Sequence, residues 1–249
     1  MTMAAATFIW LGSRRSRKHP LHDKGKLLDI ATSRGLPVPN GGILLHELYA
    51  LLLQEGVIQW GQEFLVVSDP DWLCEIFYNE IRFPRLANPV AVRAAFASGE
   101  TAVSQLNIDF QNPTALANSL CAVWSAAAPA SETRRDVLVM EMVPRQTTGT
   151  AVTRTTQSHD TVQFQQANTT ASLELPKLSG WKRPSPDIPP FAQRLQQLLR
   201  GVRRTFGPAD WQIEWADDGK ICWLLQVNSS LTASLAPSPP DLSPNAPLT

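Results

Sequence analysis

The sequence predicts a mixed fold of helices and largely antiparallel strands, in the α+β or mixed α/β class. Residues 210–228 contain two short apolar segments joined by an Asp-Asp-Gly turn, a pattern that predicts a β-hairpin. Pro189-Pro190 precedes apolar residues at helical spacing that end before Gly207, which predicts a strong amphipathic helix. Other strand and helix patterns are interleaved along the chain, and together they predict the mixed class.

The composition is that of a globular protein, since 43% of the 249 residues are apolar and eight are Trp. Lys plus Arg and Asp plus Glu number 22 each, so no bulk charge attracts nucleic acid. The basic run at residues 14–18 predicts a solvated loop rather than a polyanion site. The three Cys lack zinc or disulfide spacing, and no apolar segment is long enough to cross a bilayer. We therefore expect a cytoplasmic protein with no nucleic-acid or membrane partner.

In the first half of the chain, the apolar start AAATFIWL predicts a strand, and Asp23 is expected to cap a helix that stops at Gly35. The segment 57–89 predicts a mixture of strand and helix. The other predicted elements here are helix 24–34, an extended run at 41–45, a helix at 46–55 and a strand at 90–93.

In the second half, Asn112-Pro113 predicts the start of a helix. Polar and then Pro-rich residues at 166–190 predict a partly disordered loop, and five prolines after residue 235 predict a mobile tail. Strands are predicted at 136–143, 149–155 and 161–165.

The hairpin carries the most informative polar residues, Glu214 and Gln226, which lie among hydrophobic neighbours. Their oxygen atoms suit a hard cation such as Mg²⁺ holding nucleotide phosphates. A three-residue loop with Gly219 in the left-handed conformation would put both on one face, whereas a two-residue loop would separate them. Even on the same face, Glu214 and Gln226 would be offset along a straight ladder, so twist, a bulge or a bridging ion must bring them together. Asn228 shares the face of Gln226 by the period of two.

Four segments, in order, resemble the nucleotide-binding domain of the pyruvate phosphate dikinase and phosphoenolpyruvate synthase family. HDKGKLLDIATSRGLPVPNGGILL resembles the family's G-G-K-G-x-N-L…G-L-P-V-P-x-G-F, and NPVAVRAAFASGETAVSQLNI resembles V-A-V-R-S-S…A-G-Q-x-x-T-x-L-N-V. VLVMEMVPRQTTGTAVTRT resembles V-V-V-Q-x-M-V-x-x-x-x-S-G-V-x-F-T-R, and the hairpin resembles Q-D-I-E-W…D-G-x-L-x-L-L-Q-A-R-P. The resemblance implies an ATP-grasp architecture, with lobes at 1–130 and 131–235 that clamp ATP, followed by the tail at 236–249.

The resemblance also implies phosphate-binding residues. Lys24 matches the family lysine that contacts ATP, although His22 and Asp23 replace the two glycines before it. Arg93 matches a phosphate-binding arginine that we assign a catalytic role; the alternative is a structural salt bridge. Ser104 stands near the family threonine. The loop expected over the phosphates is shortened to residues 98–101.

The remaining matches concern the adenine pocket and the metal. Met140 replaces the glutamine that reads the base and Glu141 follows it, so base selectivity would rest on backbone groups. Arg154 matches the arginine that ends the family pattern S-G-V-x-F-T-R. Glu214 and Gln226 match metal and phosphate ligands, with hydrogen-bonded sheet residues as the alternative. Asn228 replaces an arginine, yet Gln-Val-Asn is also similar to the Glu-x-Asn ending of other ATP-grasp enzymes, where asparagine binds the metal.

The phosphohistidine motif T-x-G-G-x-x-S-H-A of the full enzymes is absent from the sequence. The first hypothesis is therefore an ATP- and Mg²⁺-binding module that passes phosphate to a separate phosphohistidine-domain protein or another acceptor. The second is a catalytically degenerate relative that serves as a regulatory or scaffolding partner. A third, suggested only by Gln-Val-Asn, is a ligase that makes an acyl-phosphate.

Overall fold

A computed structural model describes residues 6–87, 89–96, 103–128, 133–167 and 169–229. Two five-stranded sheets frame this part of the chain, and every strand pairing given for them is antiparallel. In chain order the strands and α-helices are β1 (Phe8–Trp10), α1 (Asp23–Ser33), β2 (Gly41–Leu44), α2 (His46–Gln54), β3 (Ile58–Trp60), β4 (Leu65–Val67), α3 (Pro70–Glu75), β5 (Val90–Ala94), β6 (Ser104–Ile108), α4 (Pro113–Trp124), β7 (Val137–Glu141), β8 (Thr147–Thr153), β9 (His159–Gln166), β10 (Thr169–Pro176), α5 (Pro190–Phe206), β11 (Trp211–Asp217) and β12 (Cys222–Ser229). A short 3-10 helix at Arg15–Lys18 covers most of the basic run for which the sequence predicts a loop, and a π-helical turn at Ile76–Glu80 continues α3.

The first sheet has the order β1-β2-β7-β5-β6, and the second has the order β10-β9-β8-β11-β12. Strands β3 and β4 form a separate two-stranded ribbon. The predicted class, mixed α and β with antiparallel sheets, is confirmed. No helix in the described ranges has both the length and the apolar character that crossing a membrane requires.

Two hydrophobic clusters form the core. One joins α1 and α5 to the inner face of the second sheet, and it includes Leu28, Leu195 and Ile213. The other joins α2 and α4 to one face of the first sheet, and it includes Leu48, Leu120 and Val139. Within the described ranges, α1 and α5 pack on the inner face of the second sheet, and polar residues such as Thr150, Gln163 and Glu214 lie on the other face.

Several helix ends follow from local sequence. The Asn112 side chain accepts a hydrogen bond from Ala115 N at 3.0 Å at the start of α4, the capping that an Asn-Pro start predicts. Helix α5 begins after Pro189 and ends at Gly207, whose φ is +86°. The predicted cap at Asp23 is wrong: the helix begins at Asp23, and His22 occupies the capping position without a side-chain hydrogen bond.

Part of the expected loop at 166–190 is in fact a strand. Strand β10 pairs with β9 from Thr169 to Pro176. Ala171, Leu173 and Leu175 alternate with the polar Ser172 and Glu174, which is the period of a strand, but the polar and Pro-rich sequence around them predicts a loop. A strand of this kind is stabilised by its long pairing with a neighbour rather than by its own propensity.

The chain crosses from the first sheet to the second between Glu141 and Thr147, because β7 belongs to the first sheet. The expected lobe division at residues 130 and 131 falls before that crossing. The shortened loop at 98–101 and the tail at 236–249 lie outside the described residues.

Candidate functional site

An ion pair joins the two large sheets. Arg93 on β5 donates from Nη1 to Oε2 of Glu214 on β11 at 3.0 Å. The Arg93 side chain is 15% exposed and that of Glu214 is 41% exposed. Two residues 121 positions apart therefore meet where the faces of the sheets approach each other.

Strand alternation explains why both side chains point to this meeting place. On β5, Val90, Val92 and Ala94 pack into the core shared with α2 and α4, so Arg93 projects from the other face. On β11, Trp211, Ile213 and Trp215 pack into the core shared with α5. Glu214 therefore lies on the polar face of the second sheet.

Gln226 lies directly opposite Glu214 on β12, and Asn228 lies opposite Gln212 on the same face. The strands are joined by residues 218–221, with Gly219 at φ +90° and Asp218 N donating to Ile221 O at 3.1 Å. Beyond this turn the register shifts between Glu214 and Trp215, which leaves Leu225 as an extra residue. The four-residue connection differs from both loop lengths considered from the sequence, and the bulge is what brings Gln226 onto the face of Glu214 and directly opposite it.

Lys24, the second residue of α1, lies within electrostatic range of this ion pair. Burial lowers the pKa of Lys24, Glu214 raises it and Arg93 lowers it again. Among the described residues its ammonium makes no hydrogen bond or ion pair. Its side chain is therefore a partly desolvated cation that is free to bind an anion.

Arg145 is a further cation at this site that the sequence did not reveal. It lies in the connection between β7 and β8 and interacts electrostatically with both Arg93 and Glu214. Partial burial lowers the pKa of Arg145, Arg93 lowers it further and Glu214 raises it. The only sequence signal for it was its place between two predicted strands. We call Lys24, Arg93, Arg145, Glu214 and Gln226 the inter-sheet cluster.

Ser104 lies beside the inter-sheet cluster. It is paired with Arg93 across β5 and β6, and it is exposed. The structure therefore places this candidate residue on the strand next to Arg93, at the edge of the first sheet.

Met140 and Glu141 lie further along the first sheet. Met140 is 2% exposed and pairs with Gly41 and Ala91. The Glu141 carboxylate accepts hydrogen bonds from Asn40 Nδ2 at 3.0 Å and from Ala87 N at 2.9 Å. Met140 is thus part of the core, and Glu141 holds two loops together.

Arg154 is not brought to the inter-sheet cluster. It is exposed, directly follows β8, and its main-chain oxygen accepts a hydrogen bond from Lys177 Nζ. Thr150, which pairs with Glu214, lies four residues earlier, roughly 13 Å along an extended strand.

The inter-sheet cluster has three cationic side chains and one carboxylate, a formal charge of +2. Such a site suits a polyanion, because cations in a partly desolvated setting interact strongly with phosphate oxygens. No group of three or more His, Cys, Asp or Glu in the described ranges could hold a metal ion. A metal here would therefore need carboxamide oxygens and oxygens of the ligand itself.

No protein-family model and no curated protein matches the sequence. Among solved structures, D-alanine–D-alanine ligase from Helicobacter pylori matches at TM-score 0.45 and 11% identity, over 87% of this chain and 54% of that one. The Bacillus anthracis ligase complexed with ATP matches at TM-score 0.43 and 12% identity, over 80% and 52%. The ADP complex of the N5-carboxyaminoimidazole ribonucleotide synthetase purK matches at 0.44 and 9%, over 80% and 42%. The chain spans about half the length of these structures.

Proposed function

We propose that this chain is an ATP-grasp-type nucleotide-binding domain that holds ATP with Mg²⁺ between its two sheets. It would pass phosphate to a histidine domain or another acceptor on a separate chain, as the resemblance to phosphoenolpyruvate synthase implies. The observation that supports this proposal is the meeting of Lys24, Arg93 and Glu214, with Gln226 opposite Glu214. These residues come from three distant segments, each of which carries one of the matched motifs.

The cations fit the needs of phosphoryl transfer, which depends on positioning and on electrostatic stabilisation of phosphate oxygens. Lys24 and Arg93 would contact the phosphates, and Arg93 would exchange the Glu214 carboxylate for a phosphate oxygen. Arg145 offers a further guanidinium within electrostatic range of Arg93 and Glu214. Ser104, next to Arg93, would extend the site at the sheet edge.

The donor atoms at the hairpin also fit magnesium. Mg²⁺ is commonly held by one or two carboxylates together with substrate phosphates, and all its ligands are oxygen atoms. Glu214 and Gln226, as directly opposed cross-strand neighbours, have Cβ atoms about 5 Å apart, so both could reach one ion. Asn228 adds a third oxygen on the same face. Held by these residues, Mg²⁺ would neutralise charge on the phosphates.

The base would lie along β7, where backbone groups supply the hydrogen bonds. Met140 is buried, so the purine would pack over a surface to which it contributes little exposed area. Arg154 lies too far along β8 to contact the same phosphates and would act only on an acceptor or a longer ligand.

Calorimetric titration of the full chain with ATP and Mg²⁺ tests the proposal. We expect saturable binding that weakens by about tenfold or more in Glu214→Gln and in Arg93→Ala, since losing one charge-assisted contact is worth at least ~1.4 kcal/mol. Glu174→Gln is the matched control, because Glu174 is exposed on β10 of the same sheet. Absence of binding by the folded protein at about 10 mM ATP would overturn the proposal.

The second candidate function is a regulatory or scaffolding role without catalysis. It is favoured by the Arg93–Glu214 ion pair itself, which occupies both the phosphate-binding cation and the metal-binding carboxylate. ATP binding without turnover, in the presence of a histidine-domain acceptor, would favour this alternative. Turnover with a carboxylate acceptor would instead favour the acyl-phosphate ligase.

A further inference from the structure

A small cavity lies at the C-terminal half of α1, beside the basic run that follows β1. Its volume is about 200 Å³, below the roughly 300–1,000 Å³ of pockets for drug-sized ligands. It therefore suits a small ion or one group of a larger molecule. The lining residues are Arg14, Ser16, Arg17, Asp29, Ile30, Ser33 and Arg34. We call this the Arg17 cavity.

Asp29 builds the loop that closes the Arg17 cavity. Its carboxylate is fully buried and accepts hydrogen bonds from Gly12 N at 2.8 Å and from Ser16 N at 3.3 Å. Both oxygens are therefore engaged by backbone donors. The loop is held onto α1 by a specific contact, so the basic residues are presented in a defined place.

The hydroxyl of Ser16 lacks a partner. Ser16 is 1% exposed, lines the cavity, and its Oγ makes no hydrogen bond among the described residues. A buried hydroxyl without a partner costs about 1–3 kcal/mol. An acceptor oxygen placed in the cavity would satisfy it.

Three arginines line the same cavity as this hydroxyl. Arg14, Arg17 and Arg34 are exposed and form no ion pair within the described ranges. Of their three side chains, only that of Arg14 makes a hydrogen bond there, to Ser33 O at 3.4 Å. With Asp29, the lining has a formal charge of +2. A phosphate group carries about −1.5 to −2 and offers three or four acceptor oxygens, so it matches both this charge and the number of donors.

We propose that the Arg17 cavity binds a phosphate group, either inorganic phosphate or the phosphate of a small monoester. The site is separate from the inter-sheet cluster, because Lys24 and Ser33 are nine residues apart on α1, roughly 14 Å along the helix axis. Sequence composition alone favoured a solvated loop here. The buried hydroxyl and the loop fixed by Asp29 distinguish the folded site from such a loop.

Titration calorimetry with inorganic phosphate in low-salt buffer tests the proposal. We expect saturable binding by the full chain that weakens about tenfold or more in the double variant Arg17→Ala/Arg34→Ala and less in Ser16→Ala. Arg183→Ala, which changes an exposed arginine outside the cavity, should bind as the parent does. Glu214→Gln should also retain phosphate binding, which separates this result from the fate of the proposed nucleotide site.

Comparison of probes identifies the ligand's source and chemistry. Tighter binding of glycerol 3-phosphate than of inorganic phosphate, lost in the same double variant, would assign the site to monoesters. Equal affinity for acetate would overturn the assignment to phosphate. Unchanged phosphate binding in the double variant, or no binding at about 20 mM phosphate, would overturn the site itself.

Discussion

The hairpin that carries Glu214 and Gln226 is fastened at its turn by Asp217, and replacing Asp217 with Asn should destabilise the protein strongly. Asp217 is 1% exposed. It accepts hydrogen bonds from Arg194 Nε and Nη2, both at 2.7 Å, and from Gly219 N at 3.0 Å. One side chain therefore ties the turn of the hairpin to helix α5.

The magnitude follows from these contacts. Asn keeps one acceptor oxygen but turns an amide donor toward a guanidinium donor, so one bond is lost and another loses its charge. Charge-assisted hydrogen bonds contribute about 1.5–3 kcal/mol each, and breaking a buried ion pair costs about 3–5 kcal/mol. Because Arg194 is 26% exposed and can regain water, we expect the free energy of unfolding to fall by about 2–4 kcal/mol.

Urea unfolding followed by circular dichroism measures this change. With a slope of about 3 kcal/mol per molar urea, the midpoint should fall by about 1 M. Asp187→Asn is the control, since Asp187 is exposed and its carboxylate contacts only the nearby Ser185. A loss of less than about 1 kcal/mol in Asp217→Asn, or an equal loss in the control, would refute this reasoning.

A double-mutant cycle isolates the ion pair from the rest of the turn. Arg194→Gln leaves the Asp217 carboxylate buried with only the Gly219 donor, so it should also be destabilising. The double variant should lose less than the sum of the single variants, by about 0.5–3 kcal/mol. Strict additivity would show that the two side chains act independently.

Three further predictions concern other parts of the molecule. Gly149→Ala should lower the free energy of unfolding by more than about 2 kcal/mol in urea, because its Cβ would lie 2.0 Å from Gln163 O on the adjacent strand. Lys24→Met should raise the free energy of unfolding in urea by less than about 1 kcal/mol while weakening ATP binding, since burial lowers the pKa of Lys24 and thus disfavours its charge. Burial, together with Arg134, lowers the pKa of His46 below its ordinary 6.5. The neutral imidazole therefore stabilises the fold above pH 6.5, and this part of the free energy of unfolding should be lost as the pH falls through the folded-state pKa. The loss should be smaller in His46→Gln.

Local patterns predicted most of the regular elements but not how they associate. Helix α5 and the strands of the hairpin are strongly periodic, and helix α4 starts with a recognisable cap, so each could be located from its own residues. Strand β10 was missed although Ala171, Leu173 and Leu175 alternate with polar residues, because the residues around this short pattern are polar or Pro. Arg145 could not be assigned either, since its relation to Arg93 depends on how the two sheets approach each other.

The placement of Gln226 shows what a closer interpretation of the hairpin would have required. Strict alternation along β12 would put Gln226 on the same face as Cys222 and Leu224, both buried against the helices. The core shared with the helices instead contains Cys222, Leu224 and Val227, so the period of two breaks once, at Leu225. The bulge moves Gln226 from the core to the face of Glu214. The shared face on which the proposed metal site depends is therefore set by the hydrophobic pattern of β12 together with the length of the turn.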